Sequence, residues 1–170
     1  MCIRAVTVLI KNTQKVGSYA VNLVKVDKQG HIISKEVSKF TINGEDAETS
    51  NGYLRVASAK EITKDGQIDT YKIVETEAPK GYEKYLQEIA LTVVGQETSN
   101  GYAVDTGKTK LLVGTEEVKP EKESTDGYVT WSLTSNTITI KLQNRQFDLA
   151  LRKFITGVTT NAVSYTHLTL

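Results

Sequence analysis

The stretch "TITIKLQN" (residues 137–144) decides the fold, because it alternates strictly between apolar and polar residues and breaks that pattern only at its last position. In an extended strand, residues two apart share a face. One face of this stretch carries Ile138, Ile140, Leu142 and Asn144. The opposite face carries Thr137, Thr139, Lys141 and Gln143. The pattern predicts a half-buried strand that ends with an amide where a hydrophobic residue is expected.

Two other segments show the same kind of interruption. In "YAVNLVK" (19–25), Lys25 is in phase with apolar residues of one strand face, and in "YKIVE" (71–75) Glu75 is in phase with Tyr71 and Ile73. A Lys, a Glu and an Asn are therefore each predicted to point into the core.

The rest of the chain supports an all-β fold, since no segment sustains the i, i+3, i+4, i+7 pattern of an amphipathic helix. Short alternating segments are separated by turn sequences such as "KQG", "ING", "SNG", "KDG" and "TDG". Many short strands with regular turns favour a β-sandwich or a barrel. The polar stretch 95–124 is predicted to be an inserted hairpin with an open, flexible loop, "EEVKPEKEST" (116–125).

Composition excludes several classes of function. The formal net charge is only +1, without a basic run, which argues against nucleic-acid or membrane-surface binding. The single cysteine, Cys2, leaves no intramolecular disulfide and no zinc cluster, and we predict no metal and no cofactor. No apolar stretch is long enough to span a membrane, so we expect no membrane insertion of this fragment, and any export or sorting signal is expected outside it.

The three interrupted strands each carry a group that can react if it is buried. Burying a lone ammonium or carboxylate is so unfavourable that such groups usually become neutral. A neutral Lys amine is a nucleophile, a protonated Glu can donate and relay protons, and a side-chain amide is an electrophile. Together in a dry core, Lys25 would attack the side-chain carbon of Asn144 with loss of ammonia, while Glu75 polarises the amide carbonyl and shuttles the proton.

Strand phase alone leaves a second interpretation open. Lys25 and Glu75 can form a buried or half-buried salt bridge while Asn144 caps a strand end, because buried ion pairs occur and long side chains can extend to solvent.

The segment "YKIVETEAPKGY" (71–82) resembles the E-box of the collagen-adhesin B-type (Cna B, SpaA-like) domains of Gram-positive surface proteins and pilins, and "VKVDKQG" (24–30) resembles their first-strand Lys motif. This resemblance implies an immunoglobulin-like (prealbumin-like) β-sandwich of the Cna B type. It also implies a Lys25–Asn144 isopeptide bond formed with Glu75 as catalyst, the same three residues that strand phase selects. The segment "ISKEVSKF" (33–40) departs from the family pattern before Phe40.

A weak internal repeat predicts that the complete domain, residues 17–145, lies in a tandem array. "VTVLIKN" followed by "SYAVNLVKVD" parallels "ITIKLQN" followed by "FDLALRKFI". Residues 1–16 would then hold the C-terminal strand of a preceding repeat, with Asn12 as its unpaired closing residue. Residues 146–158 would hold the first strand of a following repeat, with Lys153 as its unpaired opening residue.

Both ends of the chain carry sequences that we expect to be unrelated to function. The start "MCIRA" and the finish "AVSYTHLTL" are similar to translated adapter DNA, so no chemistry is assigned to Cys2 or His167. Residues 159–170 are expected to form no stable structure.

We therefore expect an extracellular, cell-wall-attached structural stalk or spacer module that cross-links itself once and is not an enzyme. Its expected partners are the neighbouring domains of the same chain and, through the parent adhesin, a host matrix protein or glycan. The alternative is an adhesive or carbohydrate-binding module that uses a cluster of aromatic residues, Tyr53, Tyr102, Tyr128 and Trp131. An accessory domain of a secreted enzyme is a third hypothesis with little support, because His31 and His167 form no hydrolytic constellation.

Overall fold

A computed structural model describes residues 16–147 of the chain. This part contains eleven strands: β1 (Gly17–Val26), β2 (Lys39–Ile42), β3 (Glu45–Glu48), β4 (Tyr53–Ile62), β5 (Ile68–Glu77), β6 (Ile89–Thr98), β7 (Gly101–Val104), β8 (Lys110–Val113), β9 (Glu116–Val118), β10 (Val129–Thr134) and β11 (Thr137–Gln143). Over these residues there is no helix that is long and apolar enough to cross a membrane.

The strands form two sheets packed face to face, which confirms the predicted all-β sandwich. One sheet has the order β10-β11-β1-β4. The other has the order β3-β2-β5-β6-β8-β9, and β7 pairs with β6 beside it. The first and last strands, β1 and β11, are parallel neighbours, with Lys25 opposite Leu142 in the register. The two ends of the folded sequence are thus joined through one sheet.

The alternating patterns face the core as predicted. Val21 and Leu23 of β1, and Ile138, Ile140 and Leu142 of β11, are each 0% exposed. Ile73 of β5 approaches them from the other sheet and is 1% exposed. Because β1, β5 and β11 each bury the predicted face, the polar residue in each pattern is carried inward with its apolar neighbours.

Two edge strands, β3 and β9, were not predicted, because acidic residues such as those of "EDAE" and "EEV" are poor strand formers. Strand β3 forms because the Asn43–Gly44 turn has positive φ at both residues (52° and 89°) and closes a tight hairpin with β2.

Strand β9 occupies the first residues of the segment 116–125 that was predicted to be an open loop. The carboxylate of Glu116 accepts hydrogen bonds from the Thr125 backbone N–H and hydroxyl, so the two ends of that segment are tied together. The stretch 95–124 therefore contributes three paired strands to the sandwich, not one hairpin with a free loop.

Strand β4 continues beyond the alternating segment "GYLRVAS" (52–58), as far as Ile62. It does so through an irregularity in its pairing with β1, near Ala59, whose φ is 48°. The extension covers the end of the core beside Gly17, with which Ile62 is paired, and Ile62 is 0% exposed.

Candidate functional site

The three polar residues predicted to face the core meet between the two sheets. Lys25 is 0% exposed, Asn144 is 1% and Glu75 is 2%. The Lys25 Nζ atom lies 2.9 Å from Glu75 Oε1, and Asn144 Nδ2 donates a hydrogen bond of 3.0 Å to Glu75 Oε2. One carboxylate therefore contacts both nitrogens, one with each of its oxygens.

Strand pairing accounts for this convergence. Because β1 and β11 run parallel and Lys25 is opposite Leu142, Asn144 follows on the same face, and its backbone N–H donates to the Val26 carbonyl at 3.1 Å. Glu75 comes from β5 in the facing sheet, where it is opposite Phe40 of β2. Lys25 and Asn144 are thus placed by one sheet and Glu75 by the other.

The Asn144 carboxamide has a defined orientation. Its Nδ2 also lies 2.8 Å from the backbone carbonyl oxygen of Glu83. A carbonyl oxygen only accepts hydrogen bonds, so the amide nitrogen must face it. Asn144 Oδ1 is buried without a hydrogen-bond partner. The sequence-based expectation that Glu75 polarises this carbonyl differs from the observed contact, in which Glu75 reaches the amide nitrogen.

The environment of Lys25 makes its ammonium easier to deprotonate than an exposed one. Burial lowers the pKa of its ammonium to about 8, although the negative charge of Glu75 and its contact with Nζ act in the opposite direction. The 2.9 Å contact with Glu75 is an ion pair without hydrogen-bond alignment, since neither Nζ nor Oε1 has a properly directed partner. Nζ lies 5.6 Å from the centroid of the Phe40 ring, which forms an apolar wall beside it.

Sequence reasoning missed three neighbours of this site. Tyr85 donates its backbone N–H to Glu75 Oε2 at 2.7 Å, and Glu83 contributes the carbonyl that binds Asn144. Both lie in residues 78–88, between β5 and β6, where no alternation indicates a direction. The third is Phe40, which is 1% exposed and in the core although the sequence before it departs from the family pattern.

The aromatic residues of the alternative interpretation do not form one exposed platform. Trp131 is 2% exposed, and its Nε1 donates to the Val118 carbonyl at 2.8 Å, so it belongs to the core. Tyr102 and Tyr128 are half-buried against the core, and Tyr53 is exposed.

Asn12 and Lys153, the predicted unpaired residues of neighbouring repeats, lie outside the described residues, as do nearly all of the predicted flanking segments 1–16, 146–158 and 159–170. His31 is exposed and contacts Asp27 in a turn. Within residues 16–147 there is no cluster of His, Cys, Asp and Glu that would hold a metal ion.

Comparison with known proteins finds similarity at the level of the fold. No protein-family model and no curated protein matches the chain. A C-terminal fragment of the pilus adhesin SpaC from Lactobacillus rhamnosus GG matches 78% of this chain and 47% of its own length, with a TM-score of 0.52 and 21% identity. The open conformation of the same adhesin matches with a TM-score of 0.51 and 23% identity, over 78% of this chain and 15% of its own. This chain thus has the fold of part of a pilus adhesin and spans less than half of the matched structures.

Proposed function

We propose that this chain is a structural stalk or spacer module of a Gram-positive cell-surface protein, stabilised by an isopeptide bond that forms autocatalytically between Lys25 and Asn144. The observation that carries the proposal is the single buried carboxylate in contact with both the Lys25 and the Asn144 nitrogens. The likeness in fold to a pilus adhesin supports an extracellular, cell-wall location and neighbouring modules of the same chain as partners.

The reaction begins with the ion pair. Transfer of a proton from Nζ to Glu75 leaves a neutral amine, which attacks Cγ of Asn144 and forms the new C–N bond. As the Cγ–Nδ2 bond breaks, Glu75 gives the proton that it first received to Nδ2, and its carboxylate takes the second proton from Nζ. Ammonia leaves, and Glu75 ends the reaction carrying one proton, as it did in the neutral pair.

The contacts match the proton transfers in these steps, whereas Asn144 Oδ1 has no hydrogen-bond partner. Glu75 is within hydrogen-bond distance of both the nitrogen that loses a proton and the nitrogen that gains one. The Glu83 carbonyl holds Nδ2 toward Glu75, which aligns the leaving group with its acid. A cleft of about 220 Å³ is lined in part by Asn144 and opens to the surface, which gives ammonia a route to solvent.

The reaction occurs once in each chain because forming the bond uses up both the Lys25 amine and the Asn144 carboxamide. The benefit is structural. The bond closes a loop of roughly 120 residues, for which chain entropy gives about 5 kcal/mol of stabilisation. That amount is a large share of a typical domain's stability, and it is available to a module with no disulfide. A stalk exposed to proteases and pulling forces would gain from it directly.

Intact mass tests the proposal. We expect the purified wild-type protein to be lighter than its sequence by one ammonia, and Glu75→Gln to have its full mass. The matched control is Glu77→Gln, two residues further along β5, where the carboxylate pairs with Lys39 on the exposed surface at 2.7 Å. This control should still lose ammonia. A folded wild type of full mass would refute the proposal.

A further inference from the structure

The segment between β5 and β6, residues 78–88 and here called the strap, makes two of the contacts that orient the reacting groups. Its Glu83 carbonyl holds the Asn144 amide nitrogen, and its Tyr85 N–H binds Glu75 Oε2. Neither group belongs to a strand, so the sheets do not fix their positions. The geometry of the reaction depends on whatever anchors the strap.

The first half of the strap is anchored through the backbone. Glu83 N–H donates to the Arg145 carbonyl at 2.7 Å, and Phe147 N–H donates to the Gly81 carbonyl at 3.0 Å. These bonds pair the strap with the chain that follows β11.

The second half is anchored by a side chain. Tyr85, which is 8% exposed, donates its hydroxyl to Asp126 Oδ2 at 2.7 Å. Asp126 is itself fixed, because its Oδ1 accepts from the Ser124 hydroxyl at 2.5 Å and from the Tyr128 N–H at 3.1 Å. The Tyr85 and Tyr128 rings also pack together, with centroids 5.8 Å apart.

The electrostatics keep this bond intact at neutral pH. Burial, reinforced by the neighbouring Asp126, raises the pKa of the Tyr85 hydroxyl, which remains a donor. Partial burial tends to raise the pKa of Asp126, but the hydrogen bonds from Ser124, Tyr85 and the Tyr128 N–H outweigh it, so the pKa is lowered and the carboxylate remains ionised.

We propose that Tyr85 and Asp126 are a positioning pair for cross-linking: their hydrogen bond clamps the strap so that Glu83 and Tyr85 present Asn144 and Glu75 in reactive alignment. This inference rests on the proposed function and adds residues that touch no reacting atom with their side chains. Removing the hydroxyl of Tyr85 leaves the ring in place and releases only the clamp. Since a displacement of about 1 Å can slow a positioned reaction by as much as 100-fold, we expect Tyr85→Phe to slow cross-linking at least about tenfold.

The fold offers a matched control at the opposite end of β1. Tyr19, which is 2% exposed, donates its hydroxyl to Asp69 Oδ2 at 2.9 Å, in a part-buried bond of the same kind. Tyr19→Phe therefore removes a Tyr–Asp bond, together with a bond to the Tyr71 hydroxyl, and neither bond contacts the strap. A role in stability alone predicts similar effects from the two substitutions, whereas positioning predicts a slower reaction only for Tyr85→Phe.

The experiment starts from chains purified unfolded and unreacted, with the full mass verified, and begins on dilution from denaturant. Fluorescence of the single tryptophan, Trp131, reports folding, and intact mass sampled over time reports loss of ammonia. The expected result is that Tyr85→Phe folds at the wild-type rate but cross-links at least about tenfold more slowly, while Tyr19→Phe cross-links normally.

A second substitution keeps the test decisive if Tyr85→Phe folds poorly. Asp126→Ala removes the other half of the pair and should slow cross-linking by a similar factor, and the double variant should be no slower than either single variant. Equal rates in wild type and Tyr85→Phe, or slowing that multiplies in the double variant, would overturn the positioning pair while leaving the proposed function standing. A wild type that never loses ammonia would overturn both.

Discussion

Substitutions at Lys25 and Glu75 separate the contribution of the covalent bond from that of the buried charges. Glu75→Gln prevents the reaction and also leaves the Lys25 ammonium in the core without its counter-charge. The double variant Lys25→Met/Glu75→Gln prevents the reaction as well, but it replaces both charges with neutral groups of similar size. Both variants lack the bond and differ in whether an uncompensated charge remains.

The magnitudes follow from burial and loop length. Loss of a cross-link over roughly 120 residues lowers the free energy of unfolding by about 5 kcal/mol. Removing one partner of a buried ion pair costs about 3–5 kcal/mol more, whereas replacing both partners with neutral groups costs little. Lys25 and Glu75 meet these conditions because their side chains are 0% exposed. We therefore expect the double variant to lose about 5 kcal/mol, and Glu75→Gln to lose roughly 8–10 kcal/mol.

The assay is denaturant unfolding followed by Trp131 fluorescence, with intact mass measured on the same samples. For a domain of this size, about 5 kcal/mol corresponds to a fall of about 15 °C in melting temperature, which calorimetry can check. A double variant as stable as a wild type that has lost ammonia would show that the bond contributes nothing to stability. Loss of ammonia from Glu75→Gln would show that Glu75 is not needed for the reaction.

Three further predictions concern the reaction, the packing and the response to force. The rate of ammonia loss should not depend on pH below about 8 and should fall above it. The resting ion pair and the reactive neutral pair each hold one proton, so pH does not change their ratio until Lys25 loses that proton to solvent. A rate that rises to a plateau above pH 8 would instead show that the reaction proceeds with Glu75 ionised. Gly17→Ala should lower the free energy of unfolding by about 1–3 kcal/mol in thermal melts, since an added Cβ would lie 2.0 Å from the Tyr102 carbonyl oxygen, and an unchanged melt would contradict this packing. Under force, Lys25→Met should show an unfolding step of about 400 Å that the cross-linked wild type lacks, because the residues between positions 25 and 144 are then free to extend.

The sequence predicted the three central residues because strand periodicity is a local property. Lys25, Glu75 and Asn144 each continue an alternation of apolar residues, and once a strand buries one face every second residue follows it inward. Their mutual contacts were not predictable from phase, because these depend on the register of β1 against β11 and on the packing of the two sheets.

The groups that orient the reaction could not be predicted in the same way. Glu83 and Tyr85 lie in an aperiodic segment, and they orient the reacting groups through a backbone carbonyl and a backbone N–H, which almost any residue type could supply. The orientation of the Asn144 amide, and with it the contact between Glu75 and the amide nitrogen, depends on one of these backbone atoms. Strands β3 and β9 were missed for a related reason, since pairing at a sheet edge outweighs the low strand propensity of their acidic residues.

Mechanics alone does not explain why the proposed bond would lie at Lys25. The chain enters β1 at Gly17 and leaves β11 at its opposite end, so pulling on the ends shears two parallel neighbours. A covalent link between β1 and β11 at any of their paired positions would transmit the force directly from one strand to the other, so most of the domain would not bear it. Tyr19, earlier on the same face of β1, is also buried, but its hydroxyl lies in a polar network with Asp69 and Tyr71. At Lys25 the Phe40 ring, the strap and Glu75 converge around a fully buried amine, so chemistry selects this position among those that mechanics permits.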